Sequence, residues 1–225
     1  QIPALLDAYR IPYTFSDPMV LSLTLHKGMT KRIIRDLGIP TADFFVLETL
    51  GDLSKVNLPF PLFAKPVAEG TGKGIHQDSK IKTREELDRV CKKLLKEFNQ
   101  PVLIETFLPG REFTVGITGT GEDSRIAGGM EVIFKSAASH DTYSYSNKAN
   151  YKEVVDYKLM EGNIAKECSE LCLKVWKGLG CRDGGRIDIR YDQNGIPNFI
   201  EINPLAGLNP KDSDLPIICY LQKKS

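Results

Sequence analysis

Hydrophobic and polar positions alternate most regularly from Gly184 to Asn203, in two short runs separated by Asn194-Gly195. Alternation sends successive side chains to opposite faces of a strand. Arg186, Asp188 and Arg190 therefore share one face, with Ile187, Ile189 and Tyr191 on the other. In the second run Phe199, Glu201 and Asn203 share a face, opposed by Ile200 and Ile202. Asn-Gly tolerates the positive φ angles of a type I′ turn, and a two-residue loop there sets Asp188 across from Glu201 and Arg186 across from Asn203. Like charges directly opposed on a sheet are unfavourable. The pair reads either as part of a solvated polar face or as an oxygen-rich site for a hard cation such as Mg²⁺, completed by the Asn203 amide carbonyl.

Helical spacing of apolar residues predicts helices over Ile2–Tyr9 and His26–Leu37, the second stopped by Gly38 with Pro40 beyond it. A capping box at Thr83 to Glu86 opens another that runs to about Phe98. The strongest stripe is Ile164, Cys168, Leu171, Cys172, Val175 and Leu179, which predicts a helix from Leu159 to Leu179 closed by Gly180 at C′. Strands are expected at Phe44–Leu47, Leu62–Ala64, Val102–Glu105, Glu112–Ile117 and Met130–Phe134. Ile11 to Phe15 reads as a short extended piece and Asp17-Pro18 as a break. No periodicity is visible between Lys135 and Tyr157, a length that predicts a mobile cover. Helices and strands mixed in this order give an α+β fold class.

Charged residues make up 26% of the 225 positions and hydrophobic ones 41%, with a formal net charge of +1. That balance carries no electrostatic footprint for nucleic acid or a membrane surface. No apolar run reaches the length of a membrane span, and no secretory signal pattern opens the chain. Five cysteines without a CxxC pair fit reduced thiols in a cytoplasmic protein. The chain begins at Gln1 inside a segment that already reads as internal.

Candidate chemistry gathers where an apolar strand runs into Lys65 and then Pro66-Val67-Ala68-Glu69-Gly70-Thr71-Gly72-Lys73-Gly74. Alternate glycines let backbone N–H groups turn toward an anion. The spacing is not that of a Walker A loop or a dinucleotide fingerprint. Read by itself it is either an ordinary hairpin loop or a phosphate cradle with a lysine at its mouth.

Four pieces, in order, resemble the D-alanine–D-alanine ligases of the ATP-grasp superfamily. They are Gly38-Ile39-Pro40-Thr41, Lys65-Pro66 with Glu69 to Gly74, Glu105 through Leu108-Pro109-Gly110-Arg111-Glu112-Phe113, and Gly185-Arg186-Ile187-Asp188 with Glu201-Ile202-Asn203. The resemblance implies an ATP-grasp fold, two α+β subdomains sandwiching ATP, and a ligase that phosphorylates a carboxylate before an amine attacks it. It implies residues 1–23 as the remnant of a preceding domain, 24–107 as the smaller subdomain and 108–225 as the larger. Asp188, Glu201 and Asn203 match ligands of two Mg²⁺ ions, where Mn²⁺ could substitute. Lys27 and Lys65 match phosphate-contacting lysines, and Gly70, Thr71, Gly72 and Gly74 match the phosphate loop, with Thr71 in place of serine. Glu105, Phe107 and Leu108 match the adenine hinge, Glu112 the ribose carboxylate, and Lys148 a lysine that closes over the phosphates. Arg186 and Gly207 match groups that stabilise charge developing on the transferred phosphoryl group.

The departures lie on the substrate side. Thr106 stands where a lysine is common, Ala149 where a tyrosine follows Lys148, and Pro204-Leu205-Ala206-Gly207 where Thr-x-Pro-Gly is usual. The serine expected to bind the second substrate's carboxylate falls near Asp212-Ser213, which puts an acid beside an anion position. The implied partners are ATP and small amino acids, with a homodimer compatible. Three functions stay open: D-alanine–D-alanine ligase in cell-wall precursor synthesis, an ATP-grasp ligase for other amino acids or small acids, and a nucleotide-binding module without ligase activity.

Overall fold

In the computed structural model residues 2–134 and 155–223 are described. The elements in chain order are α1 (Ile2–Ala8), α2 (Pro18–Leu25), α3 (Lys27–Asp36), β1 (Phe44–Leu47), β2 (Leu62–Pro66), β3 (Lys80–Ile81), α4 (Arg84–Phe98) and β4 (Val102–Thr106). They continue with β5 (Glu112–Thr118), β6 (Arg125–Phe134), β7 (Val155–Leu159), α5 (Gly162–Gly178), β8 (Gly184–Tyr191), β9 (Pro197–Asn203) and α6 (Asp214–Leu221). Two antiparallel sheets result, ordered β1-β4-β2-β3 and β7-β6-β5-β8-β9.

Each sheet has its own core. Leu87, Val90, Cys91 and Leu94 of α4 bury against Leu47, Leu62, Ala64 and Ile104 of the smaller sheet. Cys168, Cys172, Val175 and Trp176 of α5 bury against Val115, Ile117, Ile187 and Ile189 of the larger one. Val20, Ile34 and Ile39 join that second core, so α2 and α3 are anchored on the larger sheet. From there α3 reaches the smaller sheet through Lys31. The connector after α3 is stitched to β9, since Thr41 donates its hydroxyl to the Phe199 carbonyl (2.8 Å) and the Phe199 N–H donates to Pro40 (2.8 Å).

Several expectations change in the structure. Asp17-Pro18 does not break the chain but starts α2: the Asp17 carboxylate accepts from the Val20 N–H at 3.0 Å, and proline occupies the first turn. β6 begins at Arg125, earlier than Met130, because Gly128 and Gly129 hid the strand pattern; a Cβ on Gly129 would lie 2.0 Å from Met160 Cε. The unpatterned segment ends before Tyr157, since Val155–Leu159 forms β7 on the edge beside β6 and α5 starts only at Gly162. Residues 135–154, with the expected cover, lie outside the described residues.

The central hairpin shows a compensation. Asp188 does face Glu201 and Arg186 does face Asn203. The turn, however, is longer than two residues: Tyr191 pairs with Pro197, and Asp192 accepts from the N–H groups of Asn194 (2.8 Å) and Ile196 (2.9 Å). A bulge at Ile200 then restores the expected register. The bulge also turns Phe199 into the core with Ile202, away from Glu201, so the expected Phe199–Glu201 face does not exist. Ile200 lines the cleft instead.

Candidate active site

One cleft of about 1100 Å³, open mouth included, is lined by residues of both sheets. On the smaller-sheet wall, β2 ends at Lys65, whose Nζ lies 2.8 Å from Glu105 Oε1. The other carboxylate oxygen, Oε2, is 2.8 Å from Lys31 Nζ. All three side chains are almost wholly buried. Burial works against the Glu105 charge, yet the two ammonium groups outweigh it and hold its carboxyl down at about 2. At Lys65 burial is again outweighed, here by Glu105, Glu201 and Glu112, and its ammonium is held above the ordinary lysine value. At Lys31 burial wins and pushes the group down.

The glycine loop follows. Turns close from Lys73 N–H to Gly70 O (3.1 Å) and from Ile75 N–H to Gly72 O (3.0 Å), with Thr71, Gly72 and Gly74 at positive φ. Thr71 and Gly72 line the cleft, and the Thr71 hydroxyl donates to its neighbour Gly70 O at 2.7 Å. Gly70 and Gly74 shape the loop from behind; a Cβ on Gly74 would lie 2.4 Å from Pro66 Cγ. Gln100 clamps the loop base, accepting from the Ala68 N–H (2.7 Å) and donating to Glu69 Oε1 (2.8 Å). Lys27 donates to the Glu69 carbonyl and lies 3.6 Å from Glu201 Oε2, so it links the loop to the opposite wall.

At the end of β4 the Thr106 N–H donates to Asp43 O (2.9 Å) and the Phe107 N–H to Pro61 O (3.0 Å). Phe107 and Leu108 line the cleft. The Phe107 ring has the Lys80 ammonium 4.2 Å from its centroid and the Arg190 guanidinium 5.0 Å away. Arg190 Nη1 is 3.3 Å from Glu112 Oε2. Burial raises the Glu112 carboxyl above its ordinary value although Arg190 opposes it.

The larger-sheet wall carries the facing carboxylates. Asp188 is pushed up to about 6, first by burial and then by Glu201 and Asp214, with Arg186 opposing. Glu201 is partly buried, which works against its charge, but Lys27, Lys65 and Arg186 together hold it below its ordinary value. Arg186 Nη1 contacts Asp214 Oδ2 and sits 3.4 Å from Asp188 Oδ1. Asp188 Oδ1 and Asn203 Nδ2 are buried without a hydrogen-bond partner. An Asp188 oxygen held only by the 3.4 Å ion pair to Arg186, opposite the Glu201 carboxylate and beside the Asn203 amide, whose oxygen would be the ligating atom, is a donor set that fits Mg²⁺. Among the described residues no group of three or more His, Cys, Asp or Glu could hold a metal ion alone. Mg²⁺ is commonly held by one or two carboxylates with phosphate and water oxygens completing the octahedron.

The structure therefore brings Lys27, Lys65, Thr71, Gly72, Glu105, Phe107, Leu108, Glu112, Arg186, Asp188 and Glu201 to one cleft. Asn203 pairs with Arg186 at its edge. Gly207 is not among the lining residues; it packs under Ser213, whose Oγ would be 2.5 Å from a Cβ there. Lys148 lies outside the described residues. Asp212 and Ser213 are engaged by Asn209 at 3.1 Å each, and it is the following Asp214 that reaches the cleft. Sequence reasoning missed Lys31, Gln100 and Asp214. Lys31 had a signal, standing four residues after Lys27 on the same helix face; Asp214, in the first turn of α6, had none.

A family model described as the D-ala D-ala ligase C-terminus matches residues 33–220. The D-alanine–D-alanine ligase of Aquifex aeolicus is 33% identical over 209 residues, covering 92% of this chain and 67% of that protein. The ligase of a Marinomonas species is 32% identical over 213 residues, covering 92% of this chain and 64% of that protein. The chain thus spans about two thirds of the length of the curated relatives it matches. Among solved structures, the D-alanine–D-alanine ligase of Bacillus anthracis complexed with ATP superposes with a TM-score of 0.78 at 22% identity, covering 99% of this chain and 69% of that one. The VanG D-Ala:D-Ser ligase of Enterococcus faecalis gives 0.80 at 20% identity, covering 98% and 63%. These likenesses show an α+β ATP-grasp fold. With its fold and the family match in agreement, the chain belongs to the D-alanine–D-alanine ligase family, a family of ATP-dependent, ADP-forming carbon–nitrogen ligases.

Proposed function

We propose that the chain binds ATP and Mg²⁺ and joins a carboxylate to an amine through an acyl phosphate. The observation that carries this reading is Asp188 opposite Glu201 on one wall of the cleft, with Lys65 and the glycine loop on the other. Lys27, Lys65 and the loop N–H groups would hold the phosphates. Leu108 and Phe107 would face adenine, and Glu112, fixed by Arg190, the ribose. Asp188, Glu201 and Asn203 would hold Mg²⁺, which when bound screens phosphate charge and aligns the γ-phosphoryl group. The substrate carboxylate oxygen attacks the γ-phosphorus and ADP leaves; the amine nitrogen then attacks the acyl carbon, phosphate leaves and a proton is released. Arg186 sits where it would stabilise the charge that develops in both steps.

The simplest substrates are two D-alanines, for peptidoglycan precursor synthesis in the cytoplasm, with a homodimer as the assembly. Five unpaired cysteines support the compartment, and no helix among the described residues is long and apolar enough to cross a membrane. A second reading, a ligase for another acid or amine, is favoured by Asp214 occupying Arg186 and by Ser213 being engaged by Asn209. The test is phosphate release from ATP across a panel of acids and amines, read with product mass. Release that needs D-alanine and yields its dipeptide supports the first reading, and release with other pairs alone supports the second. ATP binding with no release for any pair would contradict the ligase.

A further inference from the structure

Lys31 has no solvent exposure at all, and it does not line the cleft, whereas Lys65 and Glu105 do. It nevertheless forms an ion pair with one of the two Glu105 oxygens at 2.8 Å, outside hydrogen-bond geometry, leaving the other for Lys65 at 2.8 Å. Glu105 cannot easily withdraw from either partner. It lies in β4, the strand paired on both sides, opposite Phe44 of β1 and Phe63 of β2. Arg35 adds a further cation on the same helix, 4.4 Å from the Phe44 ring centroid, while Lys31 is 5.6 Å from it.

Charge counting gives the consequence. Two ammonium groups and one carboxylate leave one net positive charge, and the part of the trio that faces the cleft is the Lys65–Glu105 side. Without Lys31, Glu105 would be free to cancel Lys65 and the pair would be neutral. Glu201 and Glu112 also act on Lys65 from the cleft, so the charge that Lys31 spares is what keeps this wall positive enough to meet an anion. On the function proposed above, on which this inference rests, that anion is the polyphosphate of the nucleotide.

We infer that Lys31 is a positioning residue for nucleotide phosphate: by occupying one oxygen of Glu105 from behind, it preserves the positive charge that Lys65 presents to the cleft. It acts through Glu105 and touches no ligand. Burial, Lys65 and Arg35 all push the Lys31 ammonium down, and Glu105 is the group that opposes them.

The test is a mutant cycle on the whole protein with Lys31→Met, Glu105→Gln and the double variant. Calorimetry reads ATP and adenosine binding in the presence of Mg²⁺, and kinetics reads KM for ATP against kcat. Lys31→Met is expected to weaken ATP roughly tenfold, the effect of one unit charge over ~10 Å at an effective dielectric near 20. Adenosine affinity should not move, and KM for ATP should rise more than kcat falls. The double variant restores a net single positive charge and is expected to regain most of the lost ATP affinity. A packing role alone predicts the opposite, a double variant no better than Lys31→Met and adenosine weakened with ATP, and that result overturns the inference. If Lys31→Met alone does not fold, the double variant decides: ATP affinity near wild type supports the inference, and a tenfold loss overturns it. Wild-type protein that binds neither ATP nor adenosine would overturn the nucleotide reading itself, a result separable from the other failures.

Discussion

Asp188 and Glu201 stand directly opposite each other on β8 and β9, with carboxylates of opposite tendency: Asp188 is pushed up to about 6 and Glu201 is held below its ordinary value. The difference comes from their neighbours. Both are partly buried and both feel Arg186, but Glu201 also has Lys27 and Lys65 across the cleft, whereas Asp188 has Asp214 beside it, sharing Arg186. The two facing carboxylates are therefore set apart in their affinity for a proton.

On the proposed function Mg²⁺ would bind the ionised Asp188 carboxylate, so a proton would compete with it. Apparent Mg²⁺ affinity is expected to fall as pH drops below about 6, approaching tenfold per pH unit where one proton is displaced. The stability sign follows. A carboxyl whose folded value lies above its unfolded value costs stability once ionised, so Mg²⁺ should raise the thermal midpoint clearly at pH 7.5 and little at pH 5. Midpoints measured with and without Mg²⁺ across that range check this. A pH-independent Mg²⁺ effect would count against the Asp188 assignment.

Asp214 holds Arg186 from the first turn of α6. Asp214→Asn keeps the shape and removes the charge that faces Arg186. The expected result is a kcat lowered on the order of tenfold from lost orientation, with ATP affinity changed less than about threefold because Lys27 and Lys65 are untouched. Steady-state kinetics beside nucleotide titration separates the two effects.

Gly74 holds the loop where a side chain does not fit, at φ +80° with Pro66 Cγ 2.4 Å from the Cβ it lacks. Gly74→Ala is expected to destabilise the protein by about 1–3 kcal/mol and to weaken ATP binding through the displaced loop. Urea denaturation and nucleotide titration measure the two losses.

Much of this site is legible in the sequence because its residues sit on regular strands. Alternation alone placed Arg186, Asp188 and Arg190 on one face, and all three line the cleft. Lys65 at the end of an apolar strand and the glycines after it were equally plain. The hairpin register was reached by two errors that cancel: the turn is longer than Asn194-Gly195, and the bulge at Ile200 takes up the difference. Bulges leave no pattern in one sequence, which is why Phe199 was assigned to the wrong face. Asp214 and Gln100 were invisible for another reason. Each reaches its partner across the fold, over 28 residues for Arg186–Asp214 and 32 for Ala68–Gln100, from a helix start and a helix end whose orientation only packing determines. Strand β6 was half hidden because Gly128 and Gly129 serve close packing of α6 and Met160 rather than the strand itself.

The most direct measurement is ATP-driven phosphate release by Glu201→Gln, with wild type in parallel and the fold checked by thermal melting. Glu201 faces Asp188 and lies 3.6 Å from Lys27, so the amide keeps the shape while removing the charge that would hold Mg²⁺. The expected result is turnover lowered at least about 100-fold, with a native melting transition retained. Wild-type turnover in that variant would contradict the assignment of Asp188 and Glu201 as the metal site.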